Sequence, residues 1–153
     1  MDRDLLKLVA LDREDVAVIS AHLQDAVTKV ADVVWRPDEK RLVVGLNRFD
    51  WEAATGDAPL YRRRRTALRF DRTLSLQCRN ISPKDKNAVL NLLAVEFDEH
   101  DSPGGTVILT FSGGAALRLK VECLEVELAD LGPSWTTVKR PNHPDDDAPD
   151  ARG

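Results

Sequence analysis

The sequence predicts an α+β fold: a mainly antiparallel bent sheet or partly open barrel of about seven strands with one helix after the first strand. Three observations predict it. Leu68, Phe70, Leu74, Leu76 and Cys78 share one parity, against Arg69, Asp71, Thr73, Ser75, Gln77 and Arg79 on the other. That period of two belongs to strands. A helical stripe, Val16, Ile19, Leu23 and Val27, occurs early in the chain. The connections, such as Arg36–Lys40 and Ser112–Ala115, are short and rich in turn residues, which implies hairpins rather than parallel crossovers.

Element by element, Leu5, Leu6, Leu8, Val9 and Leu11 read as a buried first strand. Asp12 is then an N-cap, and Asp15 favours the positive end of the helix dipole. The helix is predicted to run to near Val27, without a glycine to cap it. Val30–Trp35 and Arg41–Trp51 are β-rich and flank the Arg36-Pro37-Asp38-Glu39-Lys40 turn, so they form a predicted hairpin. Gly45 is expected to mark a bulge or a close backbone approach. Residues 53–59 are a loop, and the long period-two run after it is expected to bend or divide at Asp71-Arg72.

Ser82–Asn87 is a polar connector, Val89–Phe97 a strand, and Asp98–Gly105 an acidic turn. Val107–Phe111 and Ala116–Val121 flank Ser112-Gly113-Gly114-Ala115, where glycine supplies the positive φ of a tight turn. Residues 122–131 fit two patterns. Val121, Leu124, Leu128 and Leu131 suit a short C-terminal helix capped by Gly132, whereas Leu124, Val126 and Leu128 suit a strand; the helix is preferred. By element order alone, the arrangement is similar to a pleckstrin-homology-type barrel.

With 153 residues, 42% hydrophobic and 31% charged, the chain can close one core without disulfide or metal. Residues 1–140 form a single predicted domain. From 141 to 153, Pro141, Pro144, Pro149 and Asp145-Asp146-Asp147 leave too few apolar groups to offset ordering entropy, which predicts a flexible tail. No apolar run approaches the roughly 18 residues of a membrane span, and the charged N-terminus lacks a signal-peptide pattern, so no membrane partner and a cytoplasmic location are expected. Cys78 and Cys123 lie in apolar segments without CxxC spacing and read as reduced core residues. Charge is uneven: Arg62–Lys86 holds seven arginines and two lysines against Asp71 and Asp85, a net of +7 within a chain of −4.

Candidate binding residues fall in two segments. Arg62, Arg63, Arg64 and Arg65 could grip phosphates beside Tyr61, but a solvated edge strand blunted by its arginines is the preferred reading. In Asn47-Arg48-Phe49-Asp50-Trp51-Glu52, alternation sets Asn47, Phe49 and Trp51 on one face, as a ligand platform or the closure of a core. Glu96–Asp101 contains metal-ligand residue types, but no H-E-x-x-H spacing accompanies His22, His100 or His143, so no metal site is expected. No nucleophile elbow, P-loop or dinucleotide fingerprint is present, and no cofactor is expected.

The phrases Ile19-Ser20-Ala21-His22-Leu23-Gln24-Asp25-Ala26, Leu46–Glu52, Leu90-Asn91-Leu92-Leu93-Ala94 and Phe111–Ala115 with Leu119–Leu124 resemble a bacterial family, domain of unknown function 2948, from about Leu5 to His143. The resemblance implies a small bacterial cytosolic protein and no particular chemistry. The residues themselves point to a non-catalytic binding or protein-interaction module, with a protein as the partner. Two other readings stay open: a small hydrolase or transferase whose site is assembled around His22 or His100, and anion or nucleic-acid binding through Arg62–Arg65.

Overall fold

The structure is a computed structural model and describes residues 5–49 and 62–136. Strand β1 (Lys7–Ala10) yields to helix α1 (Arg13–His22) at Asp12. The Asp12 carboxylate accepts the Asp15 N–H at 2.8 Å, and Asp15 accepts the Leu11 N–H at 3.1 Å, so the acidic pair satisfies donors at the helix entrance. Val16, Ile19 and Leu23 are buried, as their spacing predicts.

The helix nevertheless stops at His22, short of Val27. Asp25 turns with a φ of 66°, and its N–H donates to the Leu92 carbonyl at 3.0 Å. Helical hydrogen bonds are thus exchanged for sheet bonds, and Val27 starts strand β2 (Val27–Lys29). The first strand also departs from expectation. It lies at the sheet edge, only Ala10 is buried along it, and Val9 is 54% exposed.

The remaining strands are β3 (Val33–Arg36), β4 (Arg41–Phe49), β5 (Arg62–Phe70), β6 (Thr73–Arg79), β7 (Val89–Glu99), β8 (Gly105–Phe111), β9 (Ala116–Val121) and β10 (Val126–Thr136). They join one open sheet in the order β1-β10-β5-β4-β2-β7-β8-β9-β6, with β3 paired to β4. Every pairing is antiparallel. The class is α+β as predicted, but among the described residues the sheet is open and has ten strands rather than about seven.

Three residue-level causes account for the difference. The period-two run divides where expected, with Arg72 at a φ of 58° between β5 and β6. Strand β2 was hidden inside the helical stripe. Residues 126–136 form β10 and not a helix, because β10 sits between β1 and β5 and pairs with both. Its burial alternates, with Val126, Leu128 and Asp130 inward, while Leu131, which a helix would have buried, is 59% exposed.

Leu42, Val44, Leu46, Leu68 and Phe70 face inward, with Leu92, Val95, Val107, Leu109, Leu117 and Leu119 from the other half of the sheet. Together with Val16, Ile19 and Leu23 of α1 they make one apolar cluster. Strand β6 ends the order and pairs, among the described residues, with β9 alone. Its first residue is tied across the gap, the Thr73 N–H donating to the Lys40 carbonyl at 2.9 Å.

Candidate functional site

Strands β4 and β5 bring both predicted binding segments side by side. Asn47 lies opposite Arg65, Arg48 opposite Arg64, and Phe49 opposite Arg63. Alternation then separates them. Arg48 and Arg64 point inward and are 3% and 0% exposed.

Buried guanidinium groups must be neutralised and hydrogen-bonded, since desolvating a lone charge is costly. Arg48 meets Asp130 of β10 in a fork, Nε to Oδ1 at 2.9 Å and Nη2 to Oδ2 at 2.8 Å. The Thr66 hydroxyl donates to Oδ1 at 2.8 Å, the Leu6 N–H to Oδ2 at 2.8 Å, and Arg64 Nε lies 3.9 Å away. Burial by itself would raise the Asp130 pKa, but Arg48, the Leu6 N–H and Thr66 outweigh it and hold the carboxyl below its usual range. This cluster ties β4, β5 and β10 together with the entry to β1. It is an interior fastening.

On the opposite face, Arg65 reaches Asp32 at 3.3 Å and the Asn47 side-chain oxygen at 3.3 Å. It crosses Gly45, where a Cβ would stand 2.7 Å from the guanidinium, so the glycine marks neither a bulge nor a backbone approach but makes room for a side chain. Arg63 stands 6.0 Å from the Phe49 ring centroid and donates to the Asn47 carbonyl at 3.4 Å; Phe49 itself is fully buried. The backbone of Arg62 pairs with Thr136, and Trp51 lies outside the described residues. Arg64 therefore lies in the interior, whereas Arg63 and Arg65 are half-buried on the other face of β5.

The outer face of the β8–β9–β6 margin offers a different arrangement. Ladder pairing places Ile108 opposite Arg118 and Arg118 opposite Gln77, with Thr110, Ala116 and Arg79 in the next row. A half-open depression of about 590 Å³ forms there, lined by Gln77, Cys78, Arg79, Ile108, Ala116 and Arg118. Ile108 and Ala116 give it apolar surface, and Arg79 and Arg118 give it two guanidinium groups.

Several other arginines are matched by acids, Arg41 and Arg69 by Asp71, Arg69 also by Glu127, and Arg72 by Glu125, whereas among the described residues Arg13 and Arg36 on the far elements are not. Arg79 and Arg118 enter no ion pair among the described residues. Sequence reading missed this set because its members lie about forty positions apart and only the β6–β9 ladder unites them. The available signal was shared parity: Gln77 and Arg79 sit on the polar side of one alternation, and Arg118 on the polar side of another.

Cys78 also corrects an expectation. Both cysteines are free, but Cys78 is exposed on the outermost strand and Cys123 is half-buried, so neither is enclosed in the core. His100 bonds through Nε2 to the Thr106 hydroxyl at 2.7 Å, and its Nδ1 lies 4.0 Å from the exposed Asp101 carboxylate. Among the described residues, no group of three or more His, Cys, Asp or Glu converges as a metal site would require. No described helix is long and apolar enough to cross a membrane.

Fold and surface thus define an α+β protein in which, among the described residues, one α-helix packs against a ten-stranded antiparallel sheet with an arginine-bearing depression on its outside. Residues 6–143 match the family described as Protein of unknown function (DUF2948), and the chain belongs to that family. No curated protein and no solved structure matches it.

Proposed function

We propose that this protein is a non-catalytic binding module that holds a protein partner against the outer face of β6, β9 and β8. One observation carries the reading: Arg79 and Arg118 stand beside Ile108 and Ala116 at the depression, with no carboxylate neutralising them among the described residues. Apolar surface supplies burial, and guanidinium groups select an acidic partner. The described lining residues include no His, Asp or Glu to serve as a general base, which favours binding over catalysis. The interior supports the same reading, because it is filled by the apolar cluster and the Asp130 fastening.

The experiment is a quantitative affinity purification from the host with wild type and with the R79E/R118E double variant. A defined protein enriched by wild type and lost with the double variant is the expected outcome. Identical protein profiles from the two would refute the reading.

A further inference from the structure

We infer that the partner is an extended protein segment, acidic on one face and apolar on the other, which adds as a further strand to the free edge of β6. The inference rests on the reading of the Arg79–Arg118 depression as a binding face, and it names the partner's chemistry and mode of attachment.

The argument begins with the main chain. Strand β6 pairs with β9 on one side only, and beyond the Thr73–Lys40 bond its other side has no ladder partner among the described residues. An antiparallel strand alternates its peptide groups between its two edges, so β6 presents donors and acceptors to whatever comes alongside. Proteins usually blunt such an edge with charge or proline. A register shift interrupts the start of β6 between Thr73 and Ser75, but beyond it Ser75-Leu76-Gln77-Cys78 carries neither, and the first charge on the strand is Arg79 at its end.

Side chains then determine what fits. Successive residues of an added strand fall on opposite faces of the sheet. On the outer face they extend the row Ile108–Arg118–Gln77 and the row Ala116–Arg79, where acidic side chains meet the two guanidinium groups. On the inner face they extend the rows Leu119–Leu76 and Leu117–Cys78. There Leu76 is only partly buried and packs against the core cluster, so apolar side chains would cover the margin of the core.

The edge is also held ready. Thr73 anchors its start to Lys40, and just past its end the Asn80 amide donates to the Gly114 carbonyl at 3.0 Å. A fixed edge loses little freedom on binding. Main-chain bonds supply attachment and the alternating faces supply selectivity, which is the logic of strand addition.

The test uses the intact protein and a displayed library of random nine-residue peptides as the probe. Enrichment of sequences with acidic residues at every second position and apolar residues between them is expected. A synthetic copy of the best binder should slow amide exchange over Leu74–Arg79 several-fold and should fail to bind when its backbone is N-methylated at alternate positions. The R79E/R118E double variant should bind it at least tenfold more weakly and prefer a copy with lysine in place of each acid. Peptides that depend on Arg118 yet leave β6 exchange unchanged overturn strand addition while the binding face stands. Binding indifferent to both arginines overturns both readings. Protection of β6 in a concentration-dependent dimer without peptide assigns the edge to a second copy, and overturns the inference.

Discussion

Asp130 gathers more of the fold than any other polar residue described here. Its carboxylate accepts from Arg48, Thr66 and Leu6, and Arg64 lies beside it. Removing one member of a buried pair strands the other charge, so Asp130→Ala should cost about 3–5 kcal/mol, read as a shift in the urea midpoint. The pH dependence follows in sign. A carboxyl with a lowered folded pKa stabilises fully above its unfolded value near 3.9, and that contribution is lost as pH falls through the folded value. Wild type should therefore lose stability on acidification below about pH 4 more steeply than Asp130→Ala, which is checked by urea melts at several pH values. Part of the acid loss will persist in the variant, because Arg41 and Arg69 overcome burial to hold Asp71 low as well. This residue was not legible in advance. Asp130 reads as one more acid near the end of an apolar segment, and only the three-strand register of β4, β5 and β10 gives it two arginine neighbours.

At the scale of elements, local chemistry was readable wherever a turn or a cap fixed it. Asp12 caps α1, Arg36–Lys40 joins β3 to β4, and Gly113 and Gly114, both at φ 77°, turn β8 into β9. Asp12→Ala should destabilise by about 1 kcal/mol, seen as a lower thermal midpoint. Where two periodicities overlapped, the sequence could not choose. Val27 completes a helical stripe and is a strand residue; Leu124 and Leu128 satisfy a helix and belong to the approach and body of β10. The preference is settled by backbone partners far away in sequence, which no local pattern contains. Gly105 offers a sharper check. A Cβ there would stand 2.5 Å from the Asp98 carbonyl and 2.6 Å from the Phe97 ring, both inside the β7–β8 hairpin. Gly105→Ala should cost about 1–3 kcal/mol through overpacking, measured by denaturant melting.

Across the whole molecule, the uneven charge of the sequence is largely resolved by folding. The arginines between Arg62 and Arg79 go to the interior at Arg64, to ion pairs at Arg65, Arg69 and Arg72, and to the outer depression at Arg79. Composition could report the excess of +7 and not its dispersal, because parity along one strand says nothing of which strand lies beside it. The pairing order has a further effect. β10 lies between β1 and β5, and the bond from the Leu6 N–H to Asp130 spans 124 positions. A chain ending at Glu125 would lack both Asp130 and the strand that joins β1 to β5, and should give a far-ultraviolet spectrum and amide dispersion typical of an unfolded chain. During translation, β1 emerges from the ribosome long before β10 exists to receive it. While residues 11–125 are being made, β1 has no β10 to pair with, and chaperone contact would fall in that interval.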